Sequence, residues 1–149
     1  MGAPSRSALT FPGGHADPRL RRAGALFAVT FVLHTADHLR RGLDEVSTQV
    51  EVLGNIGTVL TVVALGLAFT GHRWAPPVAA AAGLSLATGF AAVHLLPDWG
   101  AFSDSFPGGD VDLLSWLAAT GEIGGALVFG LTGLRVSLQR RGDRLAPAA

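Results

Sequence analysis

The chain contains five histidines, and two of them, His34 and His38, stand four residues apart. Residues at this spacing share one face of an α-helix, so both imidazoles can reach a single metal ion. A third histidine, His94, comes from a distant segment and completes a set of three nitrogen ligands. Zinc held by three protein ligands keeps an open position and lowers the pKa of bound water toward about 7. Iron would instead favour oxygen chemistry. The sequence therefore predicts a mononuclear zinc or iron site at these histidines.

Three carboxylates accompany the histidines and are the candidate catalytic residues. Asp37, Asp98 and Glu122 are each predicted to act as an additional ligand, an orienting partner or a general base. The segment from His34 to His38 also resembles the inverted zincin pattern His-x-x-Glu-His, with Asp37 in place of the glutamate. The shorter aspartate puts its carboxylate elsewhere, so this resemblance of five residues does not extend to peptidase activity. The ferritin-like di-iron class needs Glu-x-x-His, which the chain lacks.

Two other uses of the same residues remain open. A b-type haem between His94 and either His34 or His38 would make the protein an electron carrier. Alternatively, the histidines pair with carboxylates, either to hold helices together or to move protons and ions, as in a small transporter or accessory subunit. The remaining histidines, His15 and His72, are expected to be solvated and unrelated to the site.

Four apolar stretches are long enough to position this cluster inside a membrane. They cover residues 23–39, 52–69, 78–96 and 113–134, and each can cross a hydrocarbon core of roughly 30 Å. The chain is 49% hydrophobic and only 15% charged, which is typical of membrane proteins. The sequence thus predicts an all-α fold, a four-helix transmembrane bundle at 23–134. Residues 1–22 are predicted to be a disordered cytoplasmic tail and residues 135–149 a second cytoplasmic tail.

Arginine placement predicts the orientation of the bundle. Of the 11 basic residues, all arginine, nine lie in the two tails and the second loop, and only Arg40 and Arg41 lie on the opposite side. Because basic flanks stay in the cytoplasm, both termini are predicted to be cytoplasmic and the histidines to lie near the outer face. The basic residues are all arginine, and alanine and glycine are abundant, which favours a bacterial source. The predicted location is therefore the bacterial plasma membrane.

Each predicted span carries one polar stripe at helical spacing. The stripes are His34, Asp37, His38 and Arg41 on the first span; Glu51, Asn55 and Thr58 on the second; His94 and Asp98 on the third; and Ser115 and Glu122 on the fourth. Ionisable side chains facing lipid cost several kcal/mol, so the four stripes are expected to converge inside the bundle. Small residues such as Gly83, Gly121 and Gly125 either allow close packing there or make room for a ligand.

Several classes of function are excluded or left open. The chain has no cysteine, which excludes disulfides and thiolate sites, and no phosphate-binding loop or nucleic-acid module is present.

The loop at 98–112 is either a lid over the site or an interfacial connector. The expected partners are the lipid bilayer and a hydrophobic small molecule, with homo-oligomers left open. The preferred function is a metal-dependent membrane enzyme acting on a lipid or another hydrophobic substrate.

Overall fold

The computed structural model describes residues 16–42 and 46–145, without the side chain of Arg144. This part of the chain forms four α-helices. They are α1 (Pro18–Arg41), α2 (Thr48–Thr70), α3 (Ala75–Leu95) and α4 (Leu113–Leu145). The all-helical class and the number of helices predicted from the sequence are confirmed.

Two helices extend beyond their predicted boundaries into the sequences assigned to tails. Helix α1 begins at Pro18 because the carboxylate of Asp17 accepts hydrogen bonds from the backbone N–H groups of Arg19 and Leu20, at 2.8 and 3.3 Å. A proline at the first helical position and an aspartate cap favour this start. Helix α4 continues to Leu145, so residues 135–145 are helical. The predicted tails at 1–15 and 146–149 lie outside the described residues.

The helices form a bundle in which neighbours in sequence are neighbours in space. Helix α1 packs against α2 and α4, and α3 packs against the same two helices. Helices α3 and α4 share the most extensive contact, whereas α2 is the least embedded. Gly71, in the left-handed conformation with φ of 69°, ends α2 and allows the chain to turn tightly into α3. The longest connection runs from residue 96 to 112, between α3 and α4.

Glycines bring α3 and α4 into backbone contact. A Cβ atom added to Gly83 would lie 2.6 Å from the backbone nitrogen of Gly130, and one on Gly133 would lie 2.6 Å from that of Ala80. Real Cβ atoms do not approach so closely, so only glycine fits at these positions. Gly125 likewise faces α1, where an added Cβ would lie 3.2 Å from the Cα atom of Phe27. Small residues thus permit the close helix packing seen in membrane bundles.

Three of the four helices in the described part of the chain are long and apolar enough to cross a membrane. These are α2, α3 and the Leu113–Asp143 part of α4. Helix α1 has 24 residues but does not meet the same requirement, because basic residues at its start and ionisable residues near its end shorten its apolar part. The first predicted span, residues 23–39, therefore remains a prediction.

Several polar side chains lie inside the mostly apolar core, and many large apolar side chains lie outside it. His34, Asp37, His94, Ser115 and Glu122 are buried. Large apolar side chains instead cover the outside of α1 and α2: Leu26, Val29, Val32, Leu33, Val52, Ile56, Val59, Val62 and Val63. Exposed apolar side chains in this number mark a surface that contacts either a membrane or another protein. These five buried polar side chains lie toward the ends of α1, α3 and α4 that meet at the 96–112 loop, whereas Thr61 is buried in the middle of α2.

A candidate metal centre of three histidines

The structure brings His34 and His38 of α1 together with His94 of α3. Their ring centroids are 4.6 Å apart for His34 and His38, 4.9 Å for His34 and His94, and 5.8 Å for His38 and His94. One ring nitrogen from each residue lies within 4.8 Å of the other two. His34 and His94 are buried, whereas His38 is partly exposed. The cluster contains the three residues that the sequence singled out as metal ligands.

His34 is oriented by the carboxylate of Glu122 on α4. Its Nδ1–H donates a hydrogen bond to Oε2 of Glu122, and both side chains are almost completely buried. With the proton on Nδ1, the lone pair of His34 lies on Nε2. That Nε2 atom is buried and has no hydrogen-bond partner among residues 16–42 and 46–145, and neither does Oε1 of Glu122. Metal-ligating histidines in proteins are held by carboxylates in this way.

His94 is oriented by the chain segment that follows α3. Its Nδ1 atom lies 3.1 Å from the carbonyl oxygen of Asp104 and 3.5 Å from the carboxylate of the same residue. The segment is held in place by backbone hydrogen bonds from Asp104 N–H to Val93 O and from Phe106 N–H to His94 O, at 3.1 and 3.0 Å. Because these oxygen atoms accept a hydrogen bond from Nδ1, Nδ1 carries the proton. The lone pair of His94 therefore also lies on Nε2.

Arg41 fixes the 104–106 segment to the end of α1. Its guanidinium donates two hydrogen bonds to the carboxylate of Asp104, at 3.1 and 3.2 Å. The guanidinium also lies 5.4 Å from the centre of the Phe106 ring. Phe106 is buried and packs on the His94 imidazole, with ring centroids 4.8 Å apart. Part of the loop therefore covers His94, which is the arrangement expected of a lid.

The sequence indicated neither Asp104 nor Phe106 as a site residue. The signal that could have indicated Asp104 was Arg41, because an arginine at the end of an apolar segment needs an acidic partner. Four aspartates of the 98–112 loop were equally suitable by sequence, because loop conformation does not follow from helical periodicity.

Asp37 lies on α1 but turns away from the histidines. Its Oδ1 atom accepts hydrogen bonds from Arg40, at 2.8 and 2.9 Å. Arg40 also reaches Ser115 and Asp112 at the start of α4, at 3.0 and 2.8 Å. The Ser115 backbone N–H, together with Arg40, holds the pKa of the Asp112 carboxyl below its usual value. Asp37 thus belongs to a network that joins α1 to α4.

Asp98 also lies apart from the cluster. It is exposed in the loop after α3, where its carboxylate accepts a hydrogen bond from the backbone N–H of Gly100 at 2.9 Å. Of the three carboxylates predicted as catalytic, only Glu122 contacts a histidine of the cluster. His72 is exposed between α2 and α3 and accepts a hydrogen bond from the Trp74 backbone, and His15 lies outside the described residues.

A cavity of about 350 Å³ adjoins the histidine cluster. His34, His38, His94 and Glu122 line one part of it, and its walls come from α1, α2 and α3. Most of the other lining side chains are apolar. The polar stripe of α2, formed by Glu51, Asn55 and Thr58, lies along the open side of this cavity and is exposed, so it does not converge with the other stripes inside the bundle. An apolar pocket with a few convergent polar groups is the usual form of a small-molecule site.

No family model, curated protein or solved structure matches the chain. The chemistry of the cluster is therefore inferred from its own geometry.

Proposed function

We propose that the chain is an integral membrane protein of the bacterial plasma membrane that crosses the bilayer four times. The exposed apolar side chains of α1 and α2, together with the buried histidine and carboxylate side chains, support this proposal. The excess of arginine at the opposite end of the bundle from the histidines supports cytoplasmic termini. The cluster then lies near the outer face of the membrane.

The proposed activity is that of a metal-dependent enzyme with zinc or iron bound by His34, His38 and His94. The observation that carries this proposal is that two buried histidines of the cluster both have Nδ1 engaged by protein oxygen atoms. Each therefore presents Nε2, and for His34 this atom is left without a partner in the described chain. Buried polar atoms without partners are rare, and a bound metal ion would satisfy this one.

The spacing of the imidazoles suits one ion. Zinc–nitrogen bonds of about 2.0–2.1 Å separate the ligands of a tetrahedral site by about 3.4 Å. The ring nitrogens lie within 4.8 Å of one another, so small rotations of the side chains would bring them to a common ion. Three protein ligands leave one position for water or substrate.

Glu122 has two functions in this proposal. Oε2 orients His34, while Oε1 is buried without a partner among the described residues and belongs to a side chain that lines the cavity. Oε1 would then be the group placed to accept a proton, and a bound zinc or iron ion would supply a Lewis acid that makes water more acidic. The apolar cavity next to the cluster supports a hydrophobic substrate, such as a lipid.

The arrangement of the three imidazole rings suits a single metal ion better than a haem. A bis-histidine haem places its two imidazoles on opposite faces of the porphyrin. The three rings instead crowd together, and His34 and His94 meet edge to face with an angle of 74° between their planes. Purified protein expressed with haem supply should therefore show no Soret band.

Metal analysis of the purified protein tests the proposal. Protein purified without an affinity tag that binds metal should contain about one zinc or iron per chain. His34→Ala and His94→Ala should lose the ion, whereas His72→Ala should retain it, because His72 is exposed and remote from the cluster. Circular dichroism would establish that the variants remain helical. Equal metal content in all four proteins, or no metal after reconstitution with zinc or ferrous iron, would refute the proposal.

A further inference from the structure

The cavity runs along the outer half of the bundle. Its lining residues on α2 extend from Val50, near the start of the helix, to Leu60. Ten residues of helix correspond to about 15 Å, which is about half of the hydrocarbon core of a bilayer. The cavity therefore has the depth of one leaflet.

Polar and apolar side chains both line the cavity. His38 and Glu51 line its outer part, and His34 and Glu122 line it at greater depth. Leu60, Leu86 and Phe90 form an apolar wall beside the cluster, with the ring centroids of Phe90 and His34 6.2 Å apart. The cavity thus matches a molecule that carries both a polar group and an apolar chain.

The cavity is continuous with the surface that would face lipid. Several of its lining residues are exposed, among them Leu39 on α1, Ile56 on α2 and Gly89 on α3. Helix α2, which forms one wall, is the least embedded of the four helices. His94 is covered by Phe106 of the loop. A ligand can therefore reach the cluster sideways, between helices, rather than past the loop.

The size of the cavity suits a single acyl chain. Its volume of about 350 Å³ lies near the lower limit of small-molecule pockets, which is too small for both chains of a phospholipid. Glycines keep this space free. Gly54 and Gly89 line the cavity, and an added Cβ at either position would meet no atom within 4 Å.

The geometry points to a single-chain amphiphile as the ligand of this cavity, with its chain between α2 and α3 and an oxygen-bearing head group at the histidine cluster. Nε2 of His34 and Oε1 of Glu122, which are buried and have no partner in the part of the chain that the structure describes, are the atoms that such a head group, or an ion that it ligates, would satisfy. The inference rests on the proposed metal site, because the ion supplies the strongest interaction with an alcohol or carboxylate oxygen. It adds the class of substrate and its route from the outer leaflet.

Photo-crosslinking tests the assignment. The metal-loaded protein in lipid nanodiscs would be irradiated with diazirine analogues of palmitate and of hexadecanol, and labelled residues would be mapped by mass spectrometry. Labelling should concentrate on the cavity-lining parts of α2 and α3, residues 53–60 and 85–90, and excess unlabelled palmitate or hexadecanol should compete. The two probes distinguish an acid head group from an alcohol.

A matched pair of variants separates the cavity from the lipid-facing surface. Gly54→Leu should reduce labelling about tenfold, because the larger side chain occupies the cavity. Gly66→Leu is the control, since Gly66 lies on the same helix, also has no atom within 4 Å of an added Cβ and does not line the cavity. Equal labelling of the two variants, or labelling spread over all lipid-facing residues, would overturn the inference.

Metal content measured on the same samples distinguishes the two proposals. A protein that holds its ion but shows no competed labelling in the cavity contradicts only the amphiphile ligand. A protein that is labelled in the cavity without any ion contradicts the metal site and supports the ligand. Competed labelling in the unsubstituted protein, with loss in Gly54→Leu and metal retained, supports both.

Discussion

His34 on α1 donates a hydrogen bond from Nδ1–H to Oε2 of Glu122 on α4, across 88 residues of sequence. This contact fixes both the tautomer of the imidazole and the separation of the two helices at the depth of the cluster. The other ring nitrogen of His34 is Nε2, and the His34 side chain lines the cavity together with His38 and His94. The metal affinity of the cluster should therefore depend on a residue of α4 that need not touch the ion.

Glu122→Gln is expected to weaken metal binding by about 10–100-fold, the usual effect of losing a carboxylate behind a histidine ligand. Glutamine can still accept from Nδ1 through its amide oxygen, so the helices should remain packed. A chelator competition titration would measure the affinity. Glu51→Gln provides the same change at the exposed edge of the cavity and should have no effect, and an equal loss in both variants would contradict the role of Glu122.

Asp104→Asn should lower the metal affinity about tenfold. The substitution weakens the paired hydrogen bonds from Arg41, so the backbone carbonyl that orients His94 is less firmly held. Asp110→Asn removes an exposed charge from the same loop and serves as the control. If the Asp104 variant bound metal as tightly as the unsubstituted protein, Arg41 and Asp104 would have no influence on His94.

Asp37→Asn should reduce stability without changing metal content. Asp37 is buried and its carboxylate faces Arg40, so loss of its charge is expected to cost about 1–2 kcal/mol. Arg40→Gln should cost less in the Asp37→Asn background than alone, because the shared contact is already lost, but its contacts with Ser115 and Asp112 leave part of the cost. Thermal unfolding in detergent measures the first effect and metal analysis the second. Loss of the ion from a folded Asp37 variant would instead make Asp37 part of the site.

Gly83→Ala should destabilise the bundle, because its new Cβ would lie 2.6 Å from the backbone of α4. Gly89→Ala, on the same helix, meets no atom within 4 Å and should raise stability slightly through its better helix propensity, by up to about 1 kcal/mol. Both variants carry the same chemical change, so their difference in unfolding temperature measures the close contact. Similar shifts in the same direction would show that α3 and α4 are not so closely packed.

The absence of native cysteine allows the orientation to be tested directly. Asp110→Cys, in the loop after α3, should react with a membrane-impermeant maleimide in intact cells. His72→Cys and Gly142→Cys should react only after the membrane is opened. All three positions are exposed. Labelling of Gly142→Cys in intact cells would contradict a cytoplasmic C-terminus.

The helices and the histidine cluster could be anticipated from the sequence because both depend on periodicity. Apolar length predicts a helix, and the spacing of His34 and His38 predicts a shared face. The depth of His94 along α3 then made it the one suitable third histidine. These signals are local or one-dimensional, and the structure has both the four helices and the contact among the three rings.

The pairing of charges could not be anticipated. Asp37, Asp98 and Glu122 were equal candidates as partners of the histidines, but Glu122 pairs with His34, Asp37 pairs with Arg40 and Asp98 is exposed. The choice depends on the rotation of α1 against α4, which glycines such as Gly125 set through close packing. Asp104 reaches His94 through an irregular loop, for which sequence spacing gives no rule.

The polar character of α1 also bears on how the protein is made. In a bilayer, α1 is the helix least able to remain inserted alone, and the residues that satisfy its His34 and Arg41 are Glu122 and Asp104, both synthesised after it. We expect α1 to need shelter, from the translocon or a chaperone, until α4 emerges. Truncation before α4 should then leave α1 loosely held and readily degraded. Assembly of the binding site and protection of α1 from degradation would therefore occur in the same step, when α4 inserts.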